Sequence, residues 1–308
     1  GLTAAGALAD EAALFPRNFI DQMMGRCSVE GARVWLNCNP ENPAHYVKTE
    51  LIDKADEKRI YHLHFLMEDN LSLSPETRAR YQRMFTGVFY RRFIKGEWAA
   101  TDGLVYPQFA NEPDRYITDA PPAIQYAAIG VDFGGTGSAH SFTLTGFTRG
   151  MERVVVLDEY YHNNKKDGVL SPKQVEDAFV EFVRRAKQRF RVYEARCDSA
   201  EQTLIQGLTI AAARAGLGIE IRNAIKGPIH DRVTFYNSLM AQGRFSVCAG
   251  CTNTIRALKE AVYDPKKPLE DIRLDNGATN IDSLDSMEYS TEPVQSEILY
   301  IGLKEVDA

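Results

Sequence analysis

Four aspartates set the first chemical question. Asp132 closes the apolar run Ala127-Ala128-Ile129-Gly130-Val131, Asp198 follows the run from Val192 to Cys197, and Asp282 and Asp285 open a stretch with helical spacing. A carboxylate at the end of a buried strand is costly to leave unpaired, so such positions call for a cation or a counter-charge. Acids at three such places point to Mg²⁺ or Mn²⁺. Two ions held about 3.5–4 Å apart could clamp a phosphodiester, one activating the attacking water and the other stabilising the leaving 3′ oxygen. The product of that chemistry is a hydrolysed nucleic-acid backbone. Each acid also has a purely structural reading: Asp132 accepting N–H groups of the turn Gly134-Gly135-Thr136-Gly137, Asp198 capping the helix that begins near Glu201, and Asp282 as an N-cap. Asp285 stands one helical turn after Asp282 and shares its face, so either can be the third ligand, with Asp282 ahead of Asp285. Lys226, beside the turn Gly227-Pro228, is a candidate phosphate contact, and His140 and His230 are candidate helpers.

The elements that must carry these residues are legible in outline. Residues 126–133, 141–147 and 152–160 predict a three-stranded meander around the glycine turn, and 192–198 and 245–248 predict further short strands. Helical spacing over 175–190, 202–215, 233–242, 252–261 and from Ser283 onward predicts helices alternating with those strands. Upstream, residues 32–38 predict a strand stopped by Asn39-Pro40, and Ser74-Pro75-Glu76 predicts the start of a charged amphipathic helix running to Arg92. Pro107, Pro113, Pro121 and Pro122 break any long element, which places a domain boundary near residue 120, between 1–120 and 121–308. Arg78, Arg80, Arg83, Arg91, Arg92 and Lys95 form one basic cluster and Arg184, Arg185, Lys187, Arg189 and Arg191 another; each could follow a DNA backbone or simply be a solvated helix face.

Composition bounds the rest. A chain of 308 residues, 44% apolar and 25% charged, suits about two folded domains. No apolar run approaches the roughly 20 residues a bilayer needs, which argues against a membrane protein. The net charge of −6 excludes a histone-like polyelectrolyte and leaves room for a nucleic-acid enzyme with acids gathered at a metal site. Five scattered cysteines, Cys27, Cys38, Cys197, Cys248 and Cys251, disfavour a disulfide framework. Cys248 and Cys251 have the spacing of half a zinc site without a second pair to complete it, so two reduced thiols are expected. The chain begins without methionine, inside what reads as an element, and is expected to be a piece of a longer protein.

The order of acids, after a meander strand, a central strand and a last helix, resembles the ribonuclease H-like nuclease fold. More closely, Gly130-Val-Asp132-Phe-Gly-Gly-Thr136, Cys197-Asp198-Ser-Ala-Glu201, Lys226-Gly-Pro with Asp231-Arg232, and Asn280-Ile-Asp282-Ser-Leu-Asp285-Ser-Met-Glu-Tyr289 resemble the C-terminal nuclease of phage terminase large subunits of the PBSX-like prophage type. Arg92-Phe-Ile-Lys-Gly96-Glu97-Trp98 and Gly103-Leu-Val-Tyr106-Pro-Gln-Phe109 resemble the segment joining the packaging ATPase to that nuclease. The resemblance implies an α/β chain: the C-terminal part of a P-loop ATPase domain followed by a ribonuclease H-like mixed sheet flanked by helices. It implies a two-metal endonuclease using Asp132, Asp198 and Asp282 or Asp285, with Lys226 and Arg232 on DNA phosphate. It also implies a Walker B pair at Asp10-Glu11 and a coupling motif at Asn37-Cys-Asn39-Pro40. G-x-x-x-x-G-K-[ST] occurs nowhere in these residues, so ATP belongs to the full-length parent, which would be an ATP-driven DNA translocase. The implied partners are concatemeric double-stranded DNA, a small terminase subunit and a portal protein, and the implied place is the host cytoplasm, transiently at the procapsid portal. The loop from Gly130 to Gly137 also resembles the first phosphate loop of actin-like sugar kinases, but fewer than 180 residues follow Asp132 and none forms a second such loop. A noncatalytic DNA- or portal-binding module with vestigial acids is a second alternative, and a resolvase or transposase nuclease a third, disfavoured by the ATPase-like first hundred residues.

Overall fold

The computed structural model describes residues 3–41, 43–85, 87–99, 103–267, 270–275 and 279–304. They fall into two compact units, residues 1–102 with 265–271, and residues 103–264 with 272–308.

In the first unit, β1 (Gly6–Ala9) and β2 (Arg33–Leu36) pair in parallel, with Ala9 opposite Leu36, and α1 (Arg17–Arg26) lies between them in sequence. Ala9, Ala12 and Ile20 form a small core, against which Met23, Met24, Leu36, Cys38 and Tyr46 pack. Ser74 caps α2 (Pro75–Met84), its hydroxyl accepting the Thr77 N–H at 3.1 Å, with Pro75 at the first helical position. The single helix expected to run to Arg92 is instead two pieces. Phe85 is extended, and α3 (Gly87–Phe89) then leads into a π-helical turn, Tyr90–Ile94. Gly87 takes φ +55°, a backbone state that glycine enters without a Cβ penalty. The break lets the Phe85 and Phe93 rings meet edge-on at 5.0 Å.

The second unit is built on a seven-stranded sheet. In chain order its elements are α4 (Pro107–Asn111), β3 (Ile117–Thr118), β4 (Ile124–Asp132), β5 (Ala139–Thr148), β6 (Val154–Asn163), α5 (Asn164–Asp167), α6 (Pro172–Arg189), β7 (Val192–Cys197), α7 (Gln202–Arg214), β8 (Glu220–Asn223), α8 (Ile229–Ala241), β9 (Phe245–Cys248), α9 (Thr252–Glu260), α10 (Asp282–Tyr289) and α11 (Gln295–Lys304). Strand order is β3-β9-β6-β5-β4-β7-β8. β5 is antiparallel to both neighbours, and every other adjacent pair is parallel. The meander β4-β5-β6 continued by parallel β7 and β8 beyond β4, with helices on both faces, is the ribonuclease H-like arrangement expected above.

Alternation along β4 decides what each face receives. Ala127, Ile129 and Val131 point into the core with Phe142 and Leu144 of β5, where they meet Val175, Phe179, Phe182, Val183 and Ala186 of α6 and Ile205 and Leu208 of α7. Burying each of those large side chains contributes roughly 1.5–3 kcal/mol. α6 is well started, since Ser171 and Gln174 exchange hydrogen bonds as a capping box and Pro172 follows. The opposite register of β4, Gly130 and Asp132, faces α10. A Cβ on Gly130 would stand 1.7 Å from the Ser286 carbonyl oxygen, so only glycine lets α10 lie this close to the strand. α10 is fastened to β5 by hydroxyls: Ser286 Oγ meets Ser141 Oγ at 2.8 Å and Thr143 Oγ1 at 2.7 Å, and Ser290 Oγ donates to Thr145 Oγ1 at 2.7 Å. Residues two apart on a strand thus meet residues four apart on a helix.

Candidate functional site

Three elements deliver the acids to one place. Asp132 ends β4 on the α10 face. Asp198 follows β7, whose pairing with β4 is extended by the Asp198 N–H donating to the Val131 carbonyl at 2.9 Å. Asp282 and Asp285 stand in the first turn of α10, which Gly130 holds against β4.

The structural alternatives resolve differently for each acid. Asp132 is buried, with 8% of its surface exposed, and accepts no hydrogen bond from the described residues. The glycine turn uses other partners: the Gly134 N–H goes to His140 Nδ1 at 3.2 Å and the Gly135 N–H to Ser138 Oγ at 2.8 Å. Asp198 accepts the Ala200 N–H at 2.8 Å in a local turn and forms an ion pair with Lys226, while α7 starts only at Gln202. Asp282 Oδ2 accepts the Ala139 N–H at 3.1 Å, and the capping contact to the Ser283 N–H is made by Asn280 at 3.2 Å.

Charge is concentrated here. Burial pushes the Asp132 carboxyl well above the ordinary carboxylate range; Asp285, Asp282 and Asp198 push it the same way, and the Lys226 ammonium opposes them. Asp282 is raised to about 6, chiefly by burial, against the Ala139 N–H and with added repulsion from Asp285 and Asp275. The other three carboxylates and Lys226 thus lie within electrostatic reach of Asp132. The donors are carboxylate oxygens throughout, the set that hard divalent cations select. Among the described residues, no three of the four bring oxygens within 4.8 Å of one another. In this arrangement no three of them close on a single ion.

Asp285 differs from its companions because two arginines hold it. It accepts Arg232 Nη1 at 2.9 Å and Arg273 Nη2 at 2.6 Å. The same arginines reach Glu288, Arg232 at 2.8 Å and Arg273 at 2.6 Å, and the Tyr106 hydroxyl donates to Glu288 at 2.6 Å. Two buried arginines, one aspartate and one glutamate make a neutral, hydrogen-bonded block under the acidic pocket. Arg232, expected on DNA phosphate, is drawn into this block. It is 6% exposed, committed through Nη1 to Asp285 and Glu288, bonded through Nε to the Gly227 carbonyl at 3.1 Å and set over the Tyr289 ring, so that only Nη2 is without a partner among the described residues. Lys226, by contrast, stays partly exposed.

Sequence reasoning gives Glu288, Arg273, Tyr106 and Tyr289 no role. Glu288 lies three residues after Asp285 and so on its face, a signal that is present in the sequence. Tyr289 borders the acids, its hydroxyl pushed up by burial and then by Asp285, Asp132 and Asp198. Arg273 and Tyr106 carry no local sign of their partners. The basic clusters are not continuous tracks. Arg92 is fully buried, bonded to the Ala99 carbonyl, Glu41 and Asp271, because a buried guanidinium must be paired. Arg91 pairs with Glu97, Arg184 with Glu181 and Arg185 with Asp158. The Arg83 side chain lies outside the described part. His140 is buried and bonded to the glycine turn, and His230 sits in the first turn of α8. All five cysteines are free thiols.

In the first unit, Asp10 and Asn37 follow the paired ends of β1 and β2, and Asn37 Nδ2 donates to Asp10 Oδ1 at 2.8 Å. The carboxyl ends of parallel strands are where α/β sheets hold ligands. Glu11 takes φ +53°, uncommon for a residue with a Cβ. Glu11 and Asn39 are both exposed. No helix among the described residues is long and apolar enough to cross a membrane.

No family model and no curated protein matches the chain. Among solved structures, the large terminase from a thermophilic bacteriophage is 30% identical in its crystal form 2, covering 95% of this chain and 69% of that one with a TM-score of 0.80. The complex of the same terminase with ADP is 30% identical over 94% of this chain and 70% of that one, TM-score 0.79. Its complex with ATP-gamma-S matches at 30% identity over the same shares, TM-score 0.78.

Proposed function

We propose, from the premise that this chain belongs to the phage large terminase family, that its second unit is a metal-dependent endonuclease cutting concatemeric double-stranded DNA at the start and end of packaging. The observation that carries this reading is the gathering of Asp132, Asp198, Asp282 and Asp285 from three separate elements, with Asp132 buried among like charges. A pair of Mg²⁺ or Mn²⁺ ions held there would supply an activated water and neutralise the leaving 3′ oxygen. Asp132 and Asp198 would hold ions from the sheet and Asp282 from the helix. Asp285, shared between two arginines, would contribute through its free edge or by orienting α10. Lys226 would leave Asp198 for a DNA phosphate. Phosphate contacts position a duplex without reading bases, so cutting would be largely independent of sequence.

Membership sets aside the sugar-kinase reading. The ADP and ATP-gamma-S complexes of the thermophilic phage's large terminase support taking Asp10, Glu11, Asn37 and Asn39 as the nucleotide-facing residues of the first unit. These 308 residues contain no phosphate-cradling glycine loop, so this chain alone would not hydrolyse ATP. A small terminase subunit and a portal protein are the proposed partners, in the host cytoplasm.

The test is incubation of the chain with supercoiled plasmid and Mn²⁺ or Mg²⁺, beside D132A and D198A. Cutting should require the ion, stop with EDTA and fall by about 10²-fold or more in each variant. Undiminished cutting by both variants would refute the site. Absence of cutting by the wild type, with cation binding also absent, would favour the noncatalytic module.

A further inference from the structure

Glu292 lies outside the acidic pocket, yet the loop that presents Lys226 is built around it. Glu292 Oε2 accepts the N–H groups of Ile225 at 2.9 Å and Lys226 at 3.1 Å, and Oε1 accepts that of Gly227 at 3.0 Å. Three successive N–H groups closed on one anion form a nest. Closing it requires Lys226 to adopt φ +56°, a left-handed conformation that a side chain disfavours and an external partner must hold. Arg232 grips the loop from its other side through the Gly227 carbonyl at 3.1 Å, and is itself fixed by Asp285 and Glu288. From this backbone the Lys226 side chain reaches Asp198. No other described carboxylate touches the three N–H groups.

We propose that Glu292 is a positioning residue: by occupying the nest of residues 225–227 it fixes the backbone from which the Lys226 ammonium meets the acidic pocket. It sets what Lys226 contributes to cleavage without itself touching DNA or ion. The proposal rests on the nuclease reading of the pocket.

A double-mutant cycle on the whole chain tests it, with plasmid cleavage in Mn²⁺ measured for K226A, E292A and the double variant. E292A should lose about 10-fold in kcat/KM, and the double variant should be no slower than K226A, because two residues acting through one group do not add. Sodium formate at tens of millimolar, against chloride at equal ionic strength, should restore E292A several-fold by refilling the nest, and should leave the double variant unchanged. Amide exchange at residues 225–227 should accelerate in E292A and slow again with formate. Losses that multiply in the double variant, or an E292A that cuts like the wild type while K226A is impaired, would overturn the proposal. Should E292A fail to fold, E292Q, which keeps one acceptor oxygen, enters the same cycle with the same expected ordering. If D132A and K226A both cut like the wild type, the nuclease reading itself has failed.

Discussion

Asp132 sets stability against chemistry. Its carboxyl is buried, faces three other acids and lies well above the ordinary carboxylate range, so the ionised form opposes folding when only Lys226 compensates it. Asparagine keeps the shape and removes the charge. D132N should stabilise the chain in EDTA by on the order of 1–3 kcal/mol and lack the rise in Tm expected of the wild type with Mn²⁺. Scanning calorimetry in both buffers reads the pair of effects, and an EDTA-treated D132N less stable than the wild type would contradict the burial argument. The pH dependence divides between two nearby groups of opposite sign. Burial, helped by His162, lowers His140 to about 4. A base held below its unfolded value stabilises the fold fully above the ordinary histidine range and loses that contribution as pH falls toward 4, up to about 3 kcal/mol. Asp282, raised to about 6, contributes at pH below the ordinary aspartate value and loses its share as pH rises through 6. Urea unfolding between pH 6 and 4 should show H140N gaining stability relative to the wild type on acidification and D282N losing it.

At the scale of elements, the site depends on how closely α10 approaches β4. The contact at Gly130 is with backbone, which cannot swing away as a side-chain tip would. G130A should therefore cost upward of about 3–4 kcal/mol and disturb the acids on both elements. G137A, in the same glycine-rich stretch, would meet nothing within 4 Å and should change stability by no more than about 0.5 kcal/mol. Denaturant melts of the two variants separate a packing requirement from a turn requirement. Sequence alone could not distinguish these glycines, because the difference lies in a helix more than 140 residues downstream. The same limit applies to β5. Its alternation of Ser141, Thr143 and Thr145 with Phe142 and Leu144 reads as a strand with one wet face, yet every residue of it is buried because α10 covers the hydroxyls. What is legible comes from local periodicity: the meander, β7, β9, α6 to α10 and the strand-end aspartates. β8, Glu-Ile-Arg-Asn, escapes such a reading because a short edge strand exposes charge and carries no apolar run. The pairing of Arg232 is not legible either, because its partners stand more than 50 residues away in sequence.

On the scale of the molecule, the two units are unequal in how much apolar surface they cover. The second closes seven strands between helices, with the interior of β4 and β5 almost wholly buried. The first holds a two-stranded parallel sheet over a small core, with Leu8 71% and Trp35 61% exposed, and these two stand opposite each other across the strands. Two strands bury too little to be stable by themselves, so their persistence depends on the few contacts of α1, Tyr46 and the loop at Ala12. The proposed nuclease acids thus stand on the most deeply covered part of the chain, which suits chemistry that tolerates little displacement. Asp10, Glu11, Asn37 and Asn39 stand where local opening is least opposed. Hydrogen exchange should resolve the difference. Amides of residues 6–9 and 33–36 should open several kcal/mol more readily than those of 127–132 and 141–147, whose exchange should approach the global unfolding limit. Equal protection of the two sets would mean that the exposed Leu8–Trp35 face costs the first unit nothing, and that its sheet draws support from contacts beyond its visible core.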